Sequence, residues 1–202
     1  MGYSLNPSSS DCYEGTTCLI NKLNIRDERV LSEIESQITF TKASMLEIEP
    51  IDGSFDFEHY KAIHKFLFDE LYDWAGTVRT TDIAKKRTSF TKHQDIERIG
   101  TACLRKIQNG YLDDLPFDEF VYKIAELYHD INMLHPFREG NGRTQRIFFA
   151  QLIRHYDYSV SFSDADTDFL MIATIQAAQG VLDGLVEFFS EAIEPPQQNI
   201  TM

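Results

Sequence analysis

Residues 117–155 read FDEFVYKIAELYHDINMLHPFREGNGRTQRIFFAQLIRH. In the first half, Phe117, Phe120, Val121, Ile124, Leu127, Tyr128, Ile131 and Leu134 return at intervals of three and four, which puts them on one face of a helix that must bury that face. Pro136 ends it, because proline disfavours helical geometry in the residue before it, and His135 is left at a helix end. Beyond Gly140-Asn141-Gly142 the period resumes, and Arg143 to about His155 carries Ile147, Phe148, Leu152 and Ile153 toward the core. Two helices flanking a glycine-rich loop define a helical architecture.

The same reading extends in both directions. Val30, Leu31, Ile34 and Ile38 predict a helix from Asp27 to about Glu49, stopped by Pro50. Between Asp56 and Trp74, a wide stripe of Phe57, Tyr60, Ile63, Phe66, Leu67, Leu71 and Trp74 predicts a second, closed by Gly76. Residues 77–91 break the period, are rich in threonine and include Val78, Ile83 and Phe90, as expected of a short extended hairpin. Helices resume at about Gln94, and Asp164 to Glu194 gives two more, interrupted near Gly180. Met1 to about Leu23 lacks a sustained period and is expected to be an irregular arm; 195–202 is expected to be a frayed tail. The expectation is one all-α domain over residues 1–202, a helical bundle with one small β-hairpin.

The chain has 202 residues, with 32 acidic against 19 basic side chains and a net charge of −13, which argues against broad contact with nucleic acid, whose affinity rests on neutralised phosphates. Lys85, Lys86, Arg87 and Lys92 nevertheless cluster, either as a local site for a nucleotide or as a solvated loop. Three cysteines, Cys12, Cys18 and Cys103, form an odd set without metal-ligand spacing. With no apolar run near the roughly 18 residues that span a bilayer, and no basic-then-apolar start, a cytoplasmic location is expected.

The loop carries the chemistry. Gly140 and Gly142 permit positive φ, so successive backbone N–H groups can converge on an anion at the start of a helix whose dipole adds to the attraction. Arg143 and Arg146 are three apart and share a face. Glu139 would repel phosphates unless a divalent cation stood between them, which implies Mg²⁺. His135, with an ordinary pKa near 6.5, suits a general base. Taken singly, each feature has a plain structural reading: a capping histidine, a turn, a solvated arginine pair. It is their joint occurrence within twelve residues that points to phosphate chemistry.

Those twelve residues, His135-Pro136-Phe137-Arg138-Glu139-Gly140-Asn141-Gly142-Arg143-Thr144-Gln145-Arg146, match the signature of the Fic family at every fixed position. The likeness continues through Asp118-Glu119-Phe120 to Asn132-Met133-Leu134, Gln145 to Phe149, Asp73-Trp74-Ala75-Gly76 and, more weakly, Asn21 to Ile25. The resemblance implies the Fic fold, with the hairpin as a flap that registers a target segment by strand addition. It implies that His135 deprotonates a target hydroxyl, that Glu139 binds Mg²⁺, that Arg138, Gly140, Asn141, Gly142 and Arg143 contact the nucleotide, and that Arg146 holds the γ-phosphate of ATP. Lys85, Arg87, Thr88 and Phe90 are candidate flap contacts to nucleotide or target.

Within the family, glycine at the position of Gly142 goes with transfer of AMP, whereas the Doc branch has lysine there and orients its nucleotide the other way. Another phosphate-containing donor, or a weakly catalytic nucleotide-binding regulatory module, stays open. Many members are silenced by a helix bearing Ser/Thr-x-x-x-Glu-Gly/Asn whose glutamate meets the second arginine, here Arg146. Ser10 to Gly15 matches that pattern formally but has little helical character, and Ser190 to Glu194 is followed by Pro195 instead of Gly or Asn. The expectation is therefore a toxin inhibited in trans by a small antitoxin that supplies the glutamate to Arg146. By the same resemblance, ATPase subunits of type II topoisomerases are candidate targets.

Overall fold

A computed structural model describes residues 11–85, 88–162 and 164–195, with the side chains of 164–166 excepted. Seven helices are described: α1 (Glu28–Ile48), α2 (Phe57–Phe68), α3 (Ile96–Gln108), α4 (Phe117–Leu134), α5 (Asn141–His155), α6 (Asp164–Ala177) and α7 (Asp183–Ala192). The hairpin strands are β1 (Ala84–Lys85) and β2 (Thr88–Ser89), paired antiparallel with Ala84 opposite Ser89 and Lys85 opposite Thr88.

Helix α4 is the central element, packing against α3, α5 and α7. It buries Phe120, Val121, Ile124, Ala125, Leu127, Tyr128, Ile131 and Leu134, the face the periodicity selects, except that Phe117 is half-buried. From α2, Tyr60, Ile63, Leu67 and Phe68 meet Phe148, Phe149, Leu152 and Ile153 of α5 and the loop residue Phe137 in one aromatic-rich core. Helix starts follow local chemistry. The Asp27 carboxylate accepts from the Arg29 and Val30 N–H groups, and the Asp56 carboxylate from that of His59, so each side chain satisfies donors the first turn leaves unpaired.

Four expectations change. Helix α2 stops at Phe68, before Trp74, because lysines capture its last carbonyls: Lys42 Nζ donates to Phe66 O at 2.8 Å and Lys22 Nζ to Asp69 O at 2.6 Å. Leu71 and Tyr72 remain buried, but in turns that close at Gly76, whose φ is +81°. The buried face of α1 consists of Leu31, Glu35, Thr39, Lys42 and Leu46, while Val30 is exposed; the helix is turned to deliver polar groups inward. The flap pairs over two residues per strand, and its legs are held by other contacts. Residues 11–23 are a folded loop, with Cys12 bridged to Leu19 and Cys12, Cys18 and Leu19 buried. A second antiparallel pair, β3 (Ser159–Val160) with β4 (Ile193–Glu194), closes the far end of the domain.

Candidate active site

The end of α4 places the histidine. His135 caps the helix in the left-handed region, φ +44° and ψ +60°, an unusual conformation for a residue with a Cβ. The residue is 8% exposed, and its ring stacks on Phe90 of the flap, with centroids 3.8 Å apart and planes 15° from parallel. Nδ1 lies 3.0 Å from Asn132 O. A carbonyl only accepts, so Nδ1 carries the hydrogen and Nε2 keeps its lone pair. Burial pushes the ring's pKa down to about 3; the Asn132 contact opposes this, and the charges of Lys85 and Arg79 add to it. The imidazole is neutral at pH 7. It borders a cavity of about 280 Å³ lined by Lys85, Thr88 and Phe90 of the flap, Asn132, and Met171 and Ile175 of α6. Three predicted flap residues and the predicted base therefore meet; Arg87 lies outside the described residues.

The glycine-rich loop is shaped by its neighbours. Gly140 has φ +78°, and a Cβ there would sit 2.2 Å from the Phe68 ring, so only glycine fits. Asn141 is a staple: its Oδ1 accepts from Phe137 N–H and its Nδ2 donates to Phe137 O, both at 2.8 Å. Helix α5 starts at Asn141, so the N–H groups of its first turn have no intrahelical carbonyl to bond, the feature that suits a helix start to an anion. His64 of α2 supports the loop from beneath, taking Gly76 N–H on Nδ1 at 2.8 Å and meeting Glu139 O with Nε2 at 3.1 Å. It stacks on Phe137 at 3.7 Å, and burial pushes its pKa to about 3.

The two arginines of α5 have different surroundings. Arg143 reaches α1, with Nη2 2.5 Å from Glu35 Oε1 and 3.5 Å from Glu139 Oε1, Nη1 donating to Thr39 Oγ1 at 3.2 Å, and its guanidinium over the Phe68 ring. The other Glu35 oxygen accepts from the Tyr72 hydroxyl. Arg146 is half-buried and pairs with no carboxylate among the described residues. Arg138 is buried and turned to the N-terminal loop, its Nε 3.0 Å from Asp11 Oδ2. Sequence reasoning did not single out Arg79, His64, Glu35 or Tyr72, all of which act across long sequence separations.

Residues 54–153 match the Fic/DOC family. A relative from Escherichia coli (strain K12), the probable protein adenylyltransferase Fic, is 35% identical over 182 residues, 90% of each chain. This chain belongs to the Fic/DOC family. A second relative, the protein adenylyltransferase VbhT of Bartonella schoenbuchensis, is 34% identical over 83% of this Fic chain and 35% of its own length. The fold agrees with a crystal structure of BepC from Bartonella tribocorum with bound AMPPNP, at a TM-score of 0.83 and 27% identity, covering 93% of this chain and 97% of that one. A Fic domain from Bartonella quintana with bound ADP also has a TM-score of 0.83, at 25% identity over 93% and 95% of the two chains.

Proposed function

We propose that this chain is a protein adenylyltransferase that moves AMP from ATP to a hydroxyl side chain of a target protein in the cytoplasm, and that it is the toxin of a toxin–antitoxin pair. The observation that carries the reading is the orientation of His135, whose Nδ1–H donates to Asn132 O, which makes Nε2 the ring nitrogen that bears the lone pair, in a ring that borders the flap cavity. The target hydroxyl oxygen attacks the α-phosphorus, its proton passes to Nε2, and the bond to the bridging oxygen breaks to release pyrophosphate. A neutral imidazole is the form that can accept a proton, and an anionic substrate beside it raises its proton affinity at the step where that is needed. The opening N–H groups of α5, with Arg143 and Arg146, suit the phosphates. Glycine at 142 supports AMP transfer over the Doc-type reaction.

The residues also fit Mg²⁺. Glu139 is partly exposed, and its Oε1 is turned to Gly140 N–H at 2.9 Å, leaving the carboxylate's other oxygen for a cation that takes few protein ligands and completes its shell with phosphate oxygens and water. The ion would neutralise phosphate charge at that carboxylate.

Control in trans is supported by where the two internal glutamates stand. Glu14 is exposed in a turn beside Gly15, and Glu194 lies in β4; neither belongs to a helix directed at Arg146, and Ser10 lies outside the described residues. A small antitoxin that supplies a carboxylate to Arg146 fits this arrangement, and type II topoisomerase ATPase subunits are the target class to try first. The test is incubation with Mg²⁺, a bacterial lysate and ATP labelled at the α- or, separately, the γ-position. Label from the α-position only, absent with His135→Ala, is expected; label from the γ-position, or label retained by the variant, would overturn the reading.

A further inference from the structure

The backbone carbonyls at the end of α4 and into the loop, Met133, Leu134, His135 and Pro136, are claimed by two flap residues. Thr91 N–H and Oγ1 donate to Met133 O at 3.0 and 3.1 Å. Arg79 takes the next three: Nη2 is 3.4 Å from Leu134 O, Nε 2.8 Å from His135 O, and its backbone N–H 2.8 Å from Pro136 O. The same guanidinium reaches both legs of the flap, donating from Nη1 to Thr81 O at 2.7 Å and from Nη2 to Thr91 O at 2.5 Å. Its side chain is fully enclosed. Asp82 and His93 tie the legs again outside it, with His93 N–H 2.8 Å from Asp82 Oδ1.

This convergence has a physical reason. The last carbonyls of a helix need donors, and those of α4 lie where water is excluded. His135 sits at positive φ immediately before a proline, a backbone state that persists only when its surroundings over-determine it. The planar, five-donor guanidinium supplies the fork needed to hold carbonyls of both legs and of the helix end at once; an ammonium is a point donor and cannot. Phe90 is one residue from Thr91, so the contact that fixes the leg also sets the ring stacked on His135.

We propose that Arg79 is a positioning residue that locks both legs of the flap to the left-handed His135 turn, so that the flap and the base order or loosen as one unit. The activity part of its test rests on the adenylyltransferase reading; the exchange part does not. Amide hydrogen exchange of wild type, Arg79→Lys and the milder Thr91→Val would be followed at residues 78–91 and at His135 and Phe137, beside amides in the centre of α4 as an internal reference. Joint acceleration of the flap and of His135 and Phe137 is expected in Arg79→Lys, smaller in Thr91→Val, with the α4 centre unchanged. Transfer should show kcat reduced about tenfold or more, the equivalent of roughly 1.4 kcal/mol, while KM for ATP moves less than about threefold. Faster exchange in the flap with His135 and Phe137 unchanged, or uniform acceleration that includes the α4 centre, would overturn the proposal, as would a normal kcat in Arg79→Lys. A wild type that transfers no AMP, together with joint acceleration in Arg79→Lys, would refute the adenylyltransferase reading and support this one.

Discussion

The two glycines of the loop look alike in the sequence, both serving a turn that presents N–H groups, but their surroundings differ. At Gly140 a methyl group would enter the Phe68 ring and φ is +78°, so strain and clash add. At Gly142 the only neighbour of a new Cβ among the described residues is Arg146 Nη1 at 3.6 Å, an ordinary contact, and the residue is already helical. Gly140→Ala is therefore expected to lose about 2 kcal/mol or more, whereas Gly142→Ala should be neutral or gain up to about 1 kcal/mol from helix propensity. Urea unfolding followed by circular dichroism separates the two; equal losses would mean that the loop's shape is set by something other than the Phe68 contact. Asn141 gives the same lesson, since its side chain bonds both backbone groups of Phe137 and so shapes the loop.

Between elements, the loop depends on α2 through His64, which is enclosed and accepts a backbone N–H on one nitrogen. A histidine whose pKa is lowered in the folded state favours folding when neutral, so the stability it supports is complete above about pH 6.5 and is lost as pH falls toward the folded value near 3. His135 behaves alike. Each should tilt unfolding free energy by roughly 1.4 kcal/mol per pH unit below pH 6.5. Urea midpoints at pH 7, 6 and 5 should fall, and His135→Ala should fall less steeply than wild type; parallel slopes would exclude His135 as a buried neutral group. What was legible in the sequence follows from how local its causes are. Helix α4 has the predicted bounds because its stripe is unbroken and prolines flank it at 116 and 136. The end of α2 and the turned face of α1 were not legible, because lysines 22 and 42 and the Glu35–Arg143 pair bring together segments far apart in the chain. The β3–β4 pair joins two-residue segments with no period to detect, and the Arg79 clamp is visible only once the flap lies on α4.

Across the whole molecule, a net charge of −13 repels a polyanion, so nucleotide binding must rest on local positive charge that the fold leaves uncompensated. Arg143 is matched by Glu35 and Glu139, whereas Arg146 meets no carboxylate among the described residues. The proposed site also joins α1, α2, the loop, α5 and the flap, so a ligand there stabilises the fold as a unit, by about 2.7 kcal/mol at a concentration of 100 Kd. For a domain of this size that corresponds to a rise in Tm of roughly 5–10 °C. AMPPNP with Mg²⁺ is expected to produce such a rise in wild type and in His135→Ala, because proton abstraction contributes little to holding the nucleotide. Arg146→Ala should lose most of it. Arg143→Ala should start from a lower Tm, since Glu35 would be left buried without its cationic partner, yet keep more of the ligand-induced rise than Arg146→Ala. Thermal unfolding of the four proteins with and without the nucleotide decides this; a rise abolished in His135→Ala and intact in Arg146→Ala would reverse the division between the residue that accepts the proton and the residue that holds the phosphates.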